Sequence, residues 1–95
     1  MTVATLTLET FSGAVGEAYE VEAGGAAHAL TLVSATPLAN SGREGGSFRL
    51  EFQGSAETVL PQAIYGFRRE GFAEEIFIVP IARDAQGTRY EAVFF

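Results

Sequence analysis

The chain lacks cysteine and lysine altogether, and its 95 residues include a single histidine. Without cysteine, disulfide bonds, cysteine-ligated metal sites and thiol chemistry are excluded. All six cations are arginine and they face twelve acids, so the net charge is −6. Because nucleic acids and anionic membranes are bound by clustered cations, we expect neither of them as a partner.

Long apolar runs are also missing. No stretch approaches the roughly 20 apolar residues of a membrane helix. The start "MTVATLTLETF" has neither the basic region nor the apolar segment of a signal peptide. We expect a protein that is cytoplasmic as synthesised, or that leaves the cell only within an assembled or exported particle. With 47% apolar and 19% charged residues, residues 1–95 are expected to fold as one domain with a modest core.

The residues that are present alternate mostly with a period of two. In "SFRLEFQG", Phe48, Leu50 and Phe52 alternate with polar residues, as in a half-buried strand. Glycine-rich and aspartate–glycine turn signals separate such segments along the chain. The pattern predicts an all-β fold, a small antiparallel barrel or sandwich of six to seven short strands. It allows at most one helical turn, near residues 9–12.

The last third of the chain predicts two consecutive hairpins, 64–70 with 75–82 and 75–82 with 87–94. Between the last two segments, "RDAQGT" fits a turn led by Asp84 with Gly87 in the left-handed position. The alternation of apolar and polar residues predicts which face of each strand points inward. The core expected from it consists of Leu30, Leu32, Phe48, Leu50, Phe52, Tyr65, Phe67, Phe77, Val79, Tyr90 and Phe94.

Two prolines mark special backbone positions. Pro80 lies within the most apolar segment, and proline lacks the amide hydrogen that a central strand needs. It predicts either a bulge that bends the strand or an edge protected from aggregation. In the "LPQAIY" step, Pro61 fixes φ as the chain enters a strand, and Gln62 can hydrogen-bond exposed backbone there.

Residues that could carry catalysis are few. His28 stands without a serine or cysteine nucleophile motif, and one histidine cannot build a usual zinc site. Glu20 and Glu22 share a strand face and could in principle perform acid–base work, but that face is expected to be solvated. We therefore predict no catalytic residue, no cofactor site and no metal site, and we do not expect an enzyme.

Three segments, "LTLETFSGAVGEAYEV", "VLPQAIYGF" and "IFIVPIARDAQGTRYEAVFF", resemble a family of small bacterial domains of unknown function of about this length. The resemblance covers nearly the whole chain except the "NSGREGG" loop. Such domains often accompany tail-collar-type, phage-tail-like proteins in bacterial genomes. The resemblance therefore implies a structural or assembly role, and it brings no catalytic residues with it.

The last two residues of the sequence are phenylalanines. Alternation along the last strand predicts that Phe94 points toward the core. Val93 and Phe95 fall on the opposite face. Either the fold covers both faces of the last strand, or Val93 and Phe95 join Ile76 and Ile78 in an apolar patch that docks on another subunit. We favour the second arrangement. It predicts a non-enzymatic structural or assembly subunit that forms a homo-oligomer or binds a partner protein.

The alternative is a small-ligand or glycan-binding barrel. Such a module would use aromatic residues around the barrel mouth, and Tyr65, Phe72 and Tyr90 are the candidates. The sequence gives it no direct support. A pocket lined by these rings and by convergent polar groups would favour this function, whereas a filled barrel would argue against it.

Overall fold

The structure, a computed structural model, describes residues 8–38 and 47–94. Within these ranges one short helix precedes six antiparallel strands, which close into a barrel in the order β1-β2-β3-β6-β5-β4. The predicted small all-β barrel with one helical turn is confirmed. The elements are α1 (Leu8–Ser12), β1 (Ala18–Ala23), β2 (Ala26–Leu38), β3 (Ser47–Gly54), β4 (Ala63–Arg69), β5 (Phe72–Asp84) and β6 (Gly87–Phe94).

Strand β5 changes its partner halfway along its length. Its first half pairs with β4, from Arg69↔Phe72 to Ala63↔Ile78, and its second half pairs with β6. Both predicted hairpins are therefore confirmed. The register with β6 shifts between Pro80 and Ala82, which confirms the predicted bulge. Because a bulge bends and twists its strand, β5 can leave β4 and follow β6 around the barrel.

The turn between β5 and β6 has the predicted residues at its ends. The carboxylate of Asp84 accepts a hydrogen bond from the N–H of Gln86 at 2.8 Å, and Asp84 pairs with Gly87. Gly87 has a positive φ of 141°. A Cβ atom there would lie 2.1 Å from the carbonyl oxygen of Gly54, so this position requires glycine.

Aromatic rings fill the barrel. Helix α1 inserts Phe11, whose ring centroid lies 5.8 Å from that of Phe48 and 5.6 Å from that of Phe72. Phe48 stacks on Phe94 at 4.5 Å, and Tyr19 packs edge-on against Phe72. Burial of these rings is the main favourable term in the stability of the fold.

Most of the predicted core is buried, but β5 has the opposite orientation to the one expected. Ile76 and Ile78 point into the barrel and are 1% and 0% exposed, whereas Phe77 is 50% exposed. The predictions of Phe77 as core and of Ile76 and Ile78 as a docking patch are therefore wrong. Val79, which was also predicted as core, is only half-buried and pairs with Glu91 on the outer face. Both faces of this segment are apolar, so alternation alone cannot decide which set faces inward. The predicted residues that are fully buried are Leu30, Leu32, Phe48, Leu50, Phe52, Phe67 and Tyr90.

Candidate docking surface

The outer face of the barrel carries its side chains in rows, because antiparallel pairing places partners opposite one another. Each row crosses the strands in the order β2, β3, β6 and β5. Along a row the side chains change from small hydroxyl groups on β2, through mainly charged groups, to apolar groups at the other end. Three rows follow from the strand registers: Thr36–Arg49–Val93, Ser34–Glu51–Glu91–Val79 and Thr31–Gln53–Arg89–Ala82.

The middle of this face is a charged ladder made of Arg49, Glu51, Arg89 and Glu91. Arg49 Nη1 lies 2.8 Å from Glu51 Oε2, and Arg49 also binds Glu91. Arg89 Nη1 donates to Glu51 Oε1 at 2.9 Å. The hydrogen bond to Glu91 raises the pKa of Arg49, so its guanidinium stays charged. Two cations and two acids make the ladder neutral.

An apolar strip lies beside the charged ladder; we define it as Ile64, Phe77, Ile81 and Val93. These side chains are 63%, 50%, 44% and 40% exposed, respectively. Ile64 and Phe77 are direct partners on β4 and β5. Continuing the Val79↔Glu91 pairing by two residues brings Phe77 level with Val93. Large apolar side chains grouped on a surface mark sites of association in soluble proteins.

The apolar strip agrees only in part with the predicted interface. Val93 belongs to it, Phe95 lies outside the described residues, and the barrel buries Ile76 and Ile78. Sequence reasoning missed Ile64, although its alternation with Tyr65 and Phe67 already favoured an outward position. It also missed Phe77 and Ile81, because the opposite set of β5 residues was assigned to the surface.

The remaining described arginines are engaged elsewhere. Arg68 binds Glu20 and lies 3.2 Å from Glu22, and Arg69 binds Glu17 at 3.1 Å. Arg83 donates to the carbonyl oxygen of Ala56. Since the charged ladder sums to zero, the whole net charge of −6 belongs to residues outside it. The rest of the molecule is therefore acidic.

The Pro61–Gln62 step is anchored by two tyrosines. Tyr65 donates its hydroxyl to the carbonyl oxygen of Pro61 at 2.6 Å. The hydroxyl of Tyr90 accepts the N–H of Leu60 at 2.9 Å. Gln62 itself is exposed. This segment is thus fixed against the barrel wall before β4 begins.

The aromatic residues proposed for a ligand-binding mouth are used within the fold. Phe72 packs against Phe11 and Tyr19, Tyr90 is 1% exposed, and Tyr65 holds Pro61. Their arrangement gives no specific support to a glycan or small-ligand site.

His28 is half-buried, and its Nε2 lies 3.4 Å from the carbonyl oxygen of Ala23. That distance is at the long limit of a hydrogen bond. Across residues 8–38 and 47–94, no three side chains of histidine, cysteine, aspartate or glutamate are grouped so that they could hold a metal ion.

Comparison with known proteins places the chain in one family. Neither a curated protein nor a solved structure matches it. In the part of the chain that the structure describes, no helix has the length and apolarity needed to span a membrane. The family described as "Domain of unknown function (DUF6916)" matches residues 6–94 of the 95, as the resemblance predicted. The chain therefore belongs to the DUF6916 family.

Proposed function

We propose that this domain is a non-enzymatic assembly subunit that associates with further copies of itself. The surface would be the outer face of β3, β6, β5 and β4, with the apolar strip and the charged ladder. The observation that carries the proposal is that exposed apolar side chains lie beside a neutral ladder on an otherwise acidic molecule. The resemblance of the sequence suggests a phage-tail-like or surface-appendage particle as the setting.

Charge favours a second copy as the occupant of this face. Two molecules of net charge −6 repel each other wherever their acidic surfaces meet. The charged ladder does not contribute to this repulsion, because its two cations balance its two acids. Its alternating signs also allow an arginine of one copy to lie near a glutamate of the other in a two-fold arrangement.

The apolar strip would supply the affinity. Removing apolar surface from water contributes about 25 cal/mol per Å², and Phe77 offers the largest ring on this face. Stable interfaces bury about 800 Å² on each partner and combine an apolar centre with a polar rim. The strip would form the centre here, and the charged ladder would form one side of the rim.

The test is the mass in solution, measured by light scattering on a sizing column across a concentration series. We expect the wild type to form a dimer or a larger species and Phe77→Glu to be monomeric. Ile81→Glu should act in the same way. Val59→Glu is the matched control, because Val59 is 42% exposed in a loop outside the face. Circular dichroism would show that each variant is folded.

Two results would overturn the proposal. One is a wild type that stays monomeric at every concentration. The other is a folded Phe77→Glu variant whose mass matches that of the wild type, because association would then use another surface.

A further inference from the structure

The apolar strip runs in two directions on the outer face of the barrel. Across the strands, Ile64 of β4, Phe77 of β5 and Val93 of β6 lie in one row. Along β5, Ile81 follows Phe77, with the half-buried Val79 between them. Phe77 stands where the two lines cross, so β5 is the middle of the apolar strip.

Charged groups bound the apolar strip on both sides of β5. The charged ladder lies on the β6 side. On the β4 side, Arg68 binds Glu20 and lies 3.2 Å from Glu22. There β1 joins β4 through a short contact of two residue pairs, Glu20↔Arg68 and Val21↔Phe67. Interfaces between proteins have the same layout, with an apolar centre and a polar rim.

A two-fold axis that runs parallel to β5 and passes over Phe77 lays the apolar strip on itself. Such an axis exchanges the strands on either side of β5, so β4 of one copy faces β6 of the other. Phe77 then meets Phe77, and Ile81 meets Ile81. Ile64 of each copy meets Val93 of the other. Every member of the strip is covered by a member of the strip.

Two other placements of the axis do not have this property. An axis along β6 lays β5 of one copy on β3 of the other, which puts Phe77 opposite Arg49. An axis that crosses the strands at Phe77 puts Val79 opposite Glu75. Each of these placements covers an apolar side chain with a charged one, so each removes less apolar surface from water than the axis along β5.

Glu75 opposes association in this arrangement. It is exposed on the outer face of β5, two residues before Phe77, and it forms no ion pair within residues 8–38 and 47–94. The axis along β5 brings the Glu75 carboxylates of the two copies toward each other, and like charges repel. The affinity is therefore lower than the apolar strip alone would give.

We propose that two copies form a two-fold dimer whose axis runs along β5, with Phe77 at its centre and with Glu75 limiting its affinity. This inference rests on the proposed self-association and makes it more specific. A contact that uses the same surface on both copies closes at two chains, so no larger species forms through it.

The first test concerns the position of the axis. Because the chain has no cysteine, Glu75→Cys introduces a single thiol near the axis, and a short bis-maleimide should link two copies. Ala29→Cys is the control and should give little linked dimer, because Ala29 is exposed on β2, which neighbours neither β4 nor β5. Adding Phe77→Glu to Glu75→Cys should abolish the linkage.

The second test concerns the charge of Glu75. We expect Glu75→Gln to lower the dissociation constant of the dimer roughly threefold or more, because it removes the repulsion across the axis. Glu57→Gln makes the same charge change in an exposed loop and should barely alter the constant. Light scattering across a concentration series measures both, and the mass should level off at two chains.

The outcomes separate this arrangement from the self-association on which it rests. A wild type that stays monomeric at every concentration would overturn both. Other results would overturn the arrangement alone, provided that the wild type associates and Phe77→Glu is monomeric. These are a Glu75→Cys variant that is not linked, a Glu75→Gln variant that associates no more tightly than the wild type, and a mass that rises beyond two chains.

Discussion

Two buried tyrosines, Tyr90 and Tyr19, have hydroxyl groups in opposite situations. Tyr90 accepts the N–H of buried Leu60, whereas the hydroxyl of Tyr19 is buried without a hydrogen-bond partner among the described residues. We expect Tyr90→Phe to lower the free energy of unfolding by about 1–3 kcal/mol, because a buried N–H loses its acceptor. Tyr19→Phe should leave it unchanged or raise it. Urea unfolding at neutral pH measures both, and equal losses would contradict the assignment.

Tyr19 also predicts a dependence on alkaline pH. Burial raises its pKa above the ordinary value of 10.0, with Arg69 opposing and Glu17 adding to the shift. Because of the raised pKa, there is a pH range above 10 in which the Tyr19 hydroxyl keeps its proton in the folded state and loses it in the unfolded state. The stabilisation is therefore complete below about pH 10 and is lost as pH rises through the folded pKa.

We expect the stability of the wild type to fall as the pH rises above about 10, and that of Tyr19→Phe to fall less. Urea unfolding at several pH values measures this difference. Some decline should remain in the variant, because burial also raises the pKa of Tyr65. An identical decline in both proteins would assign the effect to other groups.

Gly87 and Gly66 differ in whether the structure has room for a Cβ atom at their positions. Gly87→Ala would place a methyl group against the Gly54 carbonyl at a positive φ, so we expect a loss of roughly 1–3 kcal/mol or more. Gly66→Ala meets open space and should be neutral or stabilising by about 0.5 kcal/mol. Chemical unfolding of both variants tests the contrast. A tolerated Gly87→Ala would mean that the turn can relax.

At the scale of elements, helix α1 closes one end of the aromatic core. Phe11 is fully buried, whereas Val15, just after the helix, is 48% exposed. We expect Phe11→Ala to lower the free energy of unfolding by about 3–5 kcal/mol, because it opens a cavity among aromatic rings. Val15→Ala should change it by less than about 0.5 kcal/mol. Denaturant unfolding measures both, and a small loss at Phe11 would mean that the helix is not needed to fill the barrel.

For strands with one polar face, the sequence predicted which side chains point into the barrel. For β5 it did not. In β3, Phe48, Leu50 and Phe52 alternate with polar residues, so only one orientation buries them. In β5 both orientations bury apolar side chains. The choice depends on the bulge after Pro80 and on pairing with two different strands. Alternation within one segment carries no information about those long-range constraints.

Most of the candidate docking surface could not be predicted from the sequence, for a related reason. Val93 was identified from its position on the last strand, but its neighbours depend on which strands lie beside β6. Arg49 and Glu91 meet only because β3 pairs with β6, 42 positions apart in the chain. Turn signals predict hairpins between consecutive strands, and they do not predict a pairing of this kind.

At the scale of the whole molecule, the charge distribution predicts how salt acts on association. Copies of net charge −6 repel each other at low ionic strength, and the Debye length falls from about 30 Å at 0.01 M to about 8 Å at 0.15 M. If the apolar strip holds the copies together, added salt should strengthen association over this range. Light scattering at fixed protein concentration measures it. Weakening by salt would mean instead that intermolecular ion pairs provide the affinity.

The short contact between β1 and β4 also bears on the order in which the chain folds. Glu20 and Arg68, which meet there, are 48 positions apart, so forming this contact early would cost much loop-closure entropy for two residue pairs. The β4–β5 and β5–β6 hairpins close over short turns and can form first. We therefore expect closure of β1 onto β4 to come after these hairpins in folding, and its two residue pairs to be among the first contacts to break when the barrel unfolds.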